Sequence, residues 1–422
     1  MQGQGRPRIV IVGCGFGGLF AARELRRAPA DVLVIDHNNF HLFQPLLYQV
    51  ASAALAPADI AQPIRTVLRH QANASVMLGE VDQANLGEQY VLAGSSRVPY
   101  DYLILAPGAV DNYFGHKEWH AFAPGMKEVE DATLIRSRML LSFETAEIES
   151  DPEERAAHLA FVIVGGGPTG VELAGAMAEM KKYILPKDYP GTDFSRLCIY
   201  LLEGSPHTLN AMSNPSKEKS QQYLEELGVK VMTGTVVEDY DGTTVRLKGG
   251  QTIAARNVIW AAGVTGNVLE GIPASSVVRG NRMKTNRYNE VEGLKDIYAI
   301  GDIAWMPTPK YPNGHPQLAA AAIDQGLNVG HNFRRMSKGR PLVEYEYRNK
   351  GSMATVGKRK AVVDLPGFSF QGLFAWLTWM FVHLMLILSV KNRLFIFLNW
   401  MMSYFANDST LRLMLKAKEP KD

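Results

Sequence analysis

Short apolar runs recur along the chain, and most of them end at glycine or at an acid. Residues 9–12 lead into Gly13-Cys14-Gly15-Phe16-Gly17-Gly18, and residues 31–35 end at Asp36. Between them, 16–27 has helical spacing. Uninterrupted apolar runs of this length fit strands buried on both faces, and the order strand, helix, strand predicts a parallel α/β sheet. Residues 102–106, followed by Pro107-Gly108, read as a further strand and turn, and 131–149 as a long charged helix. The pattern then restarts. Strand 161–164 runs into Gly165-Gly166-Gly167-Pro168-Thr169-Gly170, helix 171–183 follows, and strand 197–202 ends at Glu203. Runs 258–261 and 297–300 are later strands ending in Ala-Gly or Gly-Asp. One unit is thus written twice in the sequence.

Beyond residue 364 the pattern changes. Positions 365–390 hold no Asp, Glu, Lys or Arg, Lys391-Asn392-Arg393 interrupts, and 394–407 is again uncharged before a tail with Arg412, Lys416, Lys418 and Lys421. The first stretch is long enough to span a bilayer on length alone, and a buried core helix is the bland alternative. Helical phase puts Gln371, Ala375, Thr378, Val382 and Ser389 on one thin stripe, expected to pack. In the next stretch Asn392, Ile396, Asn399, Ser403 and Asn407 lie opposite Leu394, Phe397, Leu398, Met401 and Phe405. That pattern favours an amphipathic helix lying in a membrane interface, with Trp376, Trp379, Trp400, Lys391 and Arg393 at headgroup level.

The 422 residues allow two or three domains. A net charge of +2 gives no reason to expect nucleic acid as a partner. Cys14 and Cys198 lie far apart in or beside apolar runs, with no CxxC and no zinc spacing, so packing is their expected use and no metal is expected. Thiol chemistry is disfavoured for the same reason. Residues 1–8 are short and polar, without a signal-peptide apolar region, and a cytoplasmic body is expected. The uncharged stretches hold no chain of acids for proton pumping.

The two glycine loops carry the chemistry. After a strand, the first glycine permits a tight turn, the second lets backbone approach a pyrophosphate, and the third lets the helix pack on its strand; the helix N-terminus supplies N–H donors. Asp36 lies 23 residues after Gly13, where a carboxylate accepts ribose hydroxyls. Glu203 lies 38 residues after Gly165, the excess being the Pro-, Gly- and Asp-containing segment 181–196. An acid there bonds a free 2′-hydroxyl and repels a 2′-phosphate, which favours NADH over NADPH; a solvated strand-end charge is the alternative. Ile297-Tyr298-Ala299-Ile300-Gly301-Asp302 offers a carboxylate beside close backbone, which fits the ribityl chain of FAD, a simple turn aspartate being the alternative.

Several longer motifs go further. They are Phe43-Gln44-Pro45-Leu46-Leu47-Tyr48-Gln49-Val50-Ala51, Tyr100-Asp101-Tyr102-Leu103, GGGPTGVELAG at 165–175, Trp260-Ala261-Ala262-Gly263-Val264, residues 299–302 and Lys350-Gly351-Ser352-Met353-Ala354. Ala375-Trp376-Leu377-Thr378-Trp379, His383 and Asn392-Arg393 complete the set. Together they resemble the two-dinucleotide flavoprotein reductases, and most closely the type II NADH dehydrogenases, the non-proton-pumping NADH:quinone oxidoreductases.

The resemblance implies two Rossmann-like α/β domains and a C-terminal helical membrane-surface region. The FAD domain would be discontinuous (1–117 and 284–350), the NADH domain with its leading helix inserted (118–283), and the membrane-associating region 351–422. It implies that Gly13, Gly15, Phe16, Gly17, Gly18, Asp36, Pro45, Gly108, Gly301 and Asp302 hold FAD. Leu318 and Ala319, at a helix start, would present backbone N–H groups to the flavin ring. Gly165, Gly167, Pro168, Thr169, Gly170, Glu203, Ala262 and Gly263 would hold NADH. Glu172 falls on the glutamate the family places near nicotinamide and quinone, for positioning or proton handling; a glutamate answering the helix dipole is the alternative. The chain departs from the family at Ala320, which stands where a glutamine near the flavin and quinone headgroup is common. Gln317, one turn earlier, is its expected stand-in, or else a plain helix-start residue. The partners implied are NADH, a membrane quinone, the membrane surface at the cytoplasmic face of the inner membrane, and a second copy in a homodimer. The competing readings are a reductase of a small redox protein and a non-enzymatic flavin- and NADH-binding membrane adaptor.

Overall fold

The computed structural model describes residues 5–406 and 412–414, without the side chains of 405 and 406. The expectations for Phe405, Asn407, Lys416, Lys418 and Lys421 therefore lie outside the described residues. The chain divides into two compact units: Met1–Leu42, Ala61–Val110 and Val264–Asn349 form the first, and Phe43–Ile60, Asp111–Gly263 and Lys350–Asp422 the second.

The first unit is built on a five-stranded parallel sheet in the order Ile297–Ala299, Tyr102–Leu105, Arg8–Val12, Asp31–Asp36, Ala74–Leu78. Its central strands are buried on both faces, as their unbroken apolar runs predict. Val10, Ile35 and Leu103 pack toward Val91 and Val98 of the antiparallel sheet Val81–Asn85, Tyr90–Ala93, Ser96–Pro99. Helices Phe16–Glu24 and Ala319–Met336 pack on each other; there a Cβ at Gly326 would overlap the carbonyl oxygen of Gly17.

The second unit repeats the plan with four parallel strands in the order Lys230–Thr233, Cys198–Glu203, Ala160–Val164, Asn257–Trp260. The expected insertion holds two short turns of helix, Leu185–Asp188 and Phe194–Arg196. Helix Val129–Ile148 opens with a reciprocal capping box between Glu128 and Asp131. The C-terminal stretch belongs to this unit: Ser352–Thr355, Ala361–Leu365 and Phe368–Gln371 form an antiparallel sheet, and helices Leu373–Leu386 and Val390–Ala406 follow.

That arrangement corrects the reading of 365–390. The uncharged stretch begins in a hairpin, because Pro366-Gly367 turns the chain with Gly367 at φ +82°. The first helix has 14 residues, about 21 Å at 1.5 Å per residue, short of a hydrocarbon core of about 30 Å. Among the described residues no helix is long and apolar enough to cross a membrane. The packing stripe also differs. Ala375, Trp379 and His383 form the buried face, whereas Thr378 and Val382 are only half-buried. That face packs because Ala375 lies against Ala361 and Val363 of the hairpin, Trp379 meets the Tyr48 ring and His383 meets the Phe43 ring. Trp379 is therefore interior rather than at headgroup level. Arg393 also turns inward and donates to the carbonyls of Ile387 and Met385, closing the end of the preceding helix.

Gly326→Ala is expected to lower the stability of the first unit by about 1–3 kcal/mol, the usual cost of overpacking. Chemical denaturation followed by near-UV circular dichroism measures it, and an unchanged midpoint would contradict the close approach of the two helices.

Candidate active site

Each glycine loop is closed by its own strand-end acid. In the first unit Gly13 turns at φ +91°, and a Cβ on it would overlap the carbonyl of Ala106. A Cβ on Gly18 would overlap the carbonyl of Gly13, whereas Gly15 faces open space. Phe16, Gly17 and Gly18 begin the helix, and Gly17 lies against Ile300. Asp36 Oδ2 accepts the Cys14 N–H at 2.5 Å and Oδ1 the Asn38 N–H at 2.7 Å.

The second unit repeats this atom for atom. Gly165 turns at φ +114° against Ala261 and Ala262, Gly170 abuts Gly165, and Gly167 is open. Pro168 and Thr169 begin helix Pro168–Tyr183. Glu203 Oε2 accepts the Gly166 N–H at 2.6 Å and Oε1 the Ser205 N–H at 2.7 Å. A carboxylate oxygen has two lone pairs, so an oxygen that shapes its loop can also accept from a sugar hydroxyl. Open backbone at the second glycine, a helix N-terminus and a strand-end acid are what a dinucleotide needs. Both loops therefore fit one.

The remaining first-unit candidates gather at the start of helix Ala319–Met336. Gln325 Oε1 accepts the Gly301 N–H at 2.6 Å, and Gln317 Nε2 donates to the Asp302 carbonyl at 3.0 Å. Gln317 thus braces the Asp302 turn against the helix start. Leu318, extended and exposed, is the N-cap, and the helix begins at Ala319, with Ala320 half-buried. Gly108 turns at φ +74° with open space around it. Pro45, expected among the FAD contacts, falls in the second unit, in the helical turn Gln44–Leu46.

Glu172 is buried in the second unit, on the helix that follows the second loop. Its Oε1 accepts the Trp379 indole N–H at 3.2 Å and the Thr355 N–H at 3.3 Å. Gly175, one turn on, lets strand Ser352–Thr355 come this close, since a Cβ there would press on the Val356 backbone. Burial pushes the Glu172 carboxyl up to about 8, against the opposing pull of the two N–H donors. Beside it lie aromatic groups that motif spacing alone did not assign. The Tyr48 and Trp379 rings meet edge-on at 6.5 Å. The Tyr48 hydroxyl accepts from Gln49 Nε2 at 2.9 Å, and Gln49 Oε1 accepts from Trp400 Nε1 at 2.8 Å. Burial holds the Tyr48 hydroxyl protonated. His383 stacks on Trp379 at 4.2 Å, and burial lowers it to about 4, so it is neutral.

Known proteins carry the same combination. A family model described as pyridine nucleotide-disulphide oxidoreductase matches residues 7–326, and one described as NDH2 C-terminal domain matches residues 349–407. The type II NADH:quinone oxidoreductase NdhA of Mycobacterium tuberculosis is 38% identical over 95% of this chain and 87% of its own length. The type II NADH:quinone oxidoreductase Ndh of the same organism is 36% identical over 95% and 89%. The chain belongs to the type II NADH:quinone oxidoreductases.

The fold agrees. The structure of NDH2 from Plasmodium falciparum in complex with NADH matches with a TM-score of 0.87 at 21% identity, over 97% of this chain and 100% of that one. The sulfide:quinone oxidoreductase of Aquifex aeolicus matches at 0.74 and 17% identity, over 98% of both chains. Trp379, which holds Glu172, lies in the family's C-terminal domain, while Glu172 itself lies in the pyridine-nucleotide domain.

A raised carboxyl binds its proton more tightly in the folded chain than in the unfolded one. Its stabilising effect is full below the ordinary value of 4.5 and is lost as pH climbs through about 8. The stability of the wild type relative to Glu172→Gln should therefore fall across that window by up to about 1.4 kcal/mol per pH unit. Denaturant midpoints of both proteins measure the difference; a pH-independent difference would contradict a protonated Glu172.

Proposed function

We propose that this chain is an FAD-dependent oxidoreductase that takes a hydride from NADH and delivers two electrons to a membrane quinone, without pumping protons. The observation that carries the reading is the Glu172–Trp379 bond. It joins the helix of the second dinucleotide loop to a helix whose outer face is apolar.

That outer face is extensive. Phe374, Leu377 and Phe381 on the first C-terminal helix, and Leu394, Leu398 and Met402 on the second, are all more than two-fifths exposed. The polar stripe of the second helix faces the protein instead. Asn392 donates to the carbonyls of Ala58 and Asp59, and Ile396 is fully buried. An apolar surface of this extent, presented on short helices that do not span, fits insertion into one leaflet. The reading makes the protein a peripheral homodimer on the cytoplasmic face of the cell membrane.

Asp36 at the first loop and the Asp302 turn would hold FAD, which when bound would supply the two-electron chemistry between NADH and the quinone. The chain's own groups bind, orient and manage protons. Glu203 takes the ribose hydroxyls and repels a 2′-phosphate, which selects NADH over NADPH. Reduction of a quinone by two electrons takes up two protons, and Glu172 holds one at neutral pH. Its two bonds from Trp379 and Thr355 fall on Oε1, so Oε2 is the oxygen that carries the proton. Trp379 and Thr355 fix the carboxyl plane; Gln317 positions the Asp302 turn. With Ala320 at the family's glutamine position, quinone recognition here relies on groups other than that side chain.

Steady-state kinetics in lipid tests the reading. NADH oxidation should accelerate on adding a short-chain quinone, with NADPH the poorer donor; no response to quinone would contradict it. The triple variant Phe374→Glu, Phe381→Glu, Leu398→Glu should lose flotation with vesicles yet still reduce a water-soluble acceptor. Retained flotation would contradict the membrane face.

A further inference from the structure

The loop between Asn112 and His116 holds a large ring in an unusual place. Phe114 has φ +51° and Gly115 φ +104°, and the Phe114 side chain is 65% exposed. A bulky residue in the left-handed region is an outlier, and such conformations persist where the surroundings impose them, often at ligand sites. The surroundings here are explicit. Asn112 Oδ1 accepts the Phe114 N–H at 2.9 Å, the Asn112 carbonyl accepts the Trp260 indole N–H at 2.8 Å, and the Asn112 N–H donates to the Gly263 carbonyl at 3.3 Å. One bond shapes the loop from within, and two tie it to strand Asn257–Trp260 and the turn after it. The ring meets Trp260 edge-on, with centroids 6.4 Å apart, and stands over Gly263, where an added Cβ would lie 3.1 Å from the Phe114 Cζ.

Topology gives that position a meaning. In the four-stranded sheet, Ala160–Val164 carries the glycine loop, Cys198–Glu203 lies on one side and Asn257–Trp260 on the other. A dinucleotide with its pyrophosphate on the loop and its adenosine at Glu203 sends its other half across the end of Asn257–Trp260. Its path passes the Ala262-Gly263 turn, which abuts the loop at Gly165. The exposed face of the Phe114 ring is presented at that turn.

We infer that Phe114 is a binding contact for the nicotinamide half of NADH, packing its ring against the nicotinamide ring beside Gly263. The inference rests on the NADH reading of the second loop. It explains why the loop carrying a strained, solvent-facing aromatic ring is fixed by two Asn112 hydrogen bonds to the strand end and its turn. It also gives Gly263 a second constraint, since any side chain there would meet the ring.

Calorimetric titration of the intact flavoprotein with NAD⁺ and with ADP-ribose, which lacks nicotinamide, separates this contact from the rest of the site. Phe114→Ala should weaken NAD⁺ about threefold to tenfold, the range for loss of one aromatic contact. It should leave ADP-ribose unchanged, and Phe114→Tyr should restore NAD⁺. Retained ADP-ribose binding also reports that the variant is folded. Equal weakening of both ligands, or of neither, would overturn the inference. If NADH fails to bleach the flavin of the wild type, the oxidoreductase reading falls and this inference with it; if NADH bleaches it and Phe114→Ala binds NAD⁺ normally, only the Phe114 assignment falls.

Discussion

A buried carboxyl must be hydrogen-bonded, neutralised or both, and the second unit is arranged around that requirement at Glu172. Leaving this group unsatisfied would destabilise the fold by several kcal/mol, so its partners are held in place. They come from distant parts of the chain: Thr355 from the C-terminal sheet and Trp379 from the first C-terminal helix. Seven residues along the same helix, Glu179 accepts the Lys358 N–H, and Lys358 Nζ in turn reaches the Ser403 carbonyl at 2.5 Å. Two carboxyls on one helix face therefore hold the C-terminal sheet, and through Trp379 and Lys358 both C-terminal helices. The same helix begins at the second glycine loop, so dinucleotide binding and placement of the apolar face share one rigid element.

The outer face of the C-terminal helices departs from that of a helix in water. A helix on a water-soluble body turns apolar residues inward, yet the second helix turns Asn392 inward and leaves Leu394, Leu398 and Met402 outside. Asn392 is satisfied by two backbone carbonyls, so the inward polar group does not weaken the contact. The outward apolar residues gain nothing in water; they acquire a purpose when the medium outside is lipid.

Much of this was legible in sequence. The two loops, the acids at Asp36 and Glu203 and the parallel sheets follow from local rules: strand length, glycine position and the distance to the next strand end. The sequence pattern also separated the polar and apolar faces of the second helix. Other features were not legible. Asp36 and Glu203 were read as sugar ligands, with a solvated strand-end charge the alternative for Glu203, and their bonds to their own loops depend on how each strand end meets its turn. Trp379 was assigned to the headgroup level because indole rings favour interfaces, but a buried carboxyl some two hundred positions away has the stronger claim on its N–H. The uncharged run at 365–390 hid a hairpin, since length overrode the Pro366-Gly367 signal. Gln317 was read as a stand-in for the family glutamine or a helix-start residue, and its bond to the Asp302 carbonyl was not foreseen. In each case the deciding interaction is long-range, and composition and spacing do not encode it.

The central claim is that Glu172 is a protonated acid at neutral pH, bonded through Oε1 and carrying its proton on Oε2. Infrared difference spectroscopy of the carboxyl region tests it most directly. The account predicts a protonated-carboxyl C=O band at pH 6–7 that disappears as the pH is raised through about 8 and is absent from Glu172→Gln. A Glu172 signal already in the carboxylate form at pH 6 would contradict it.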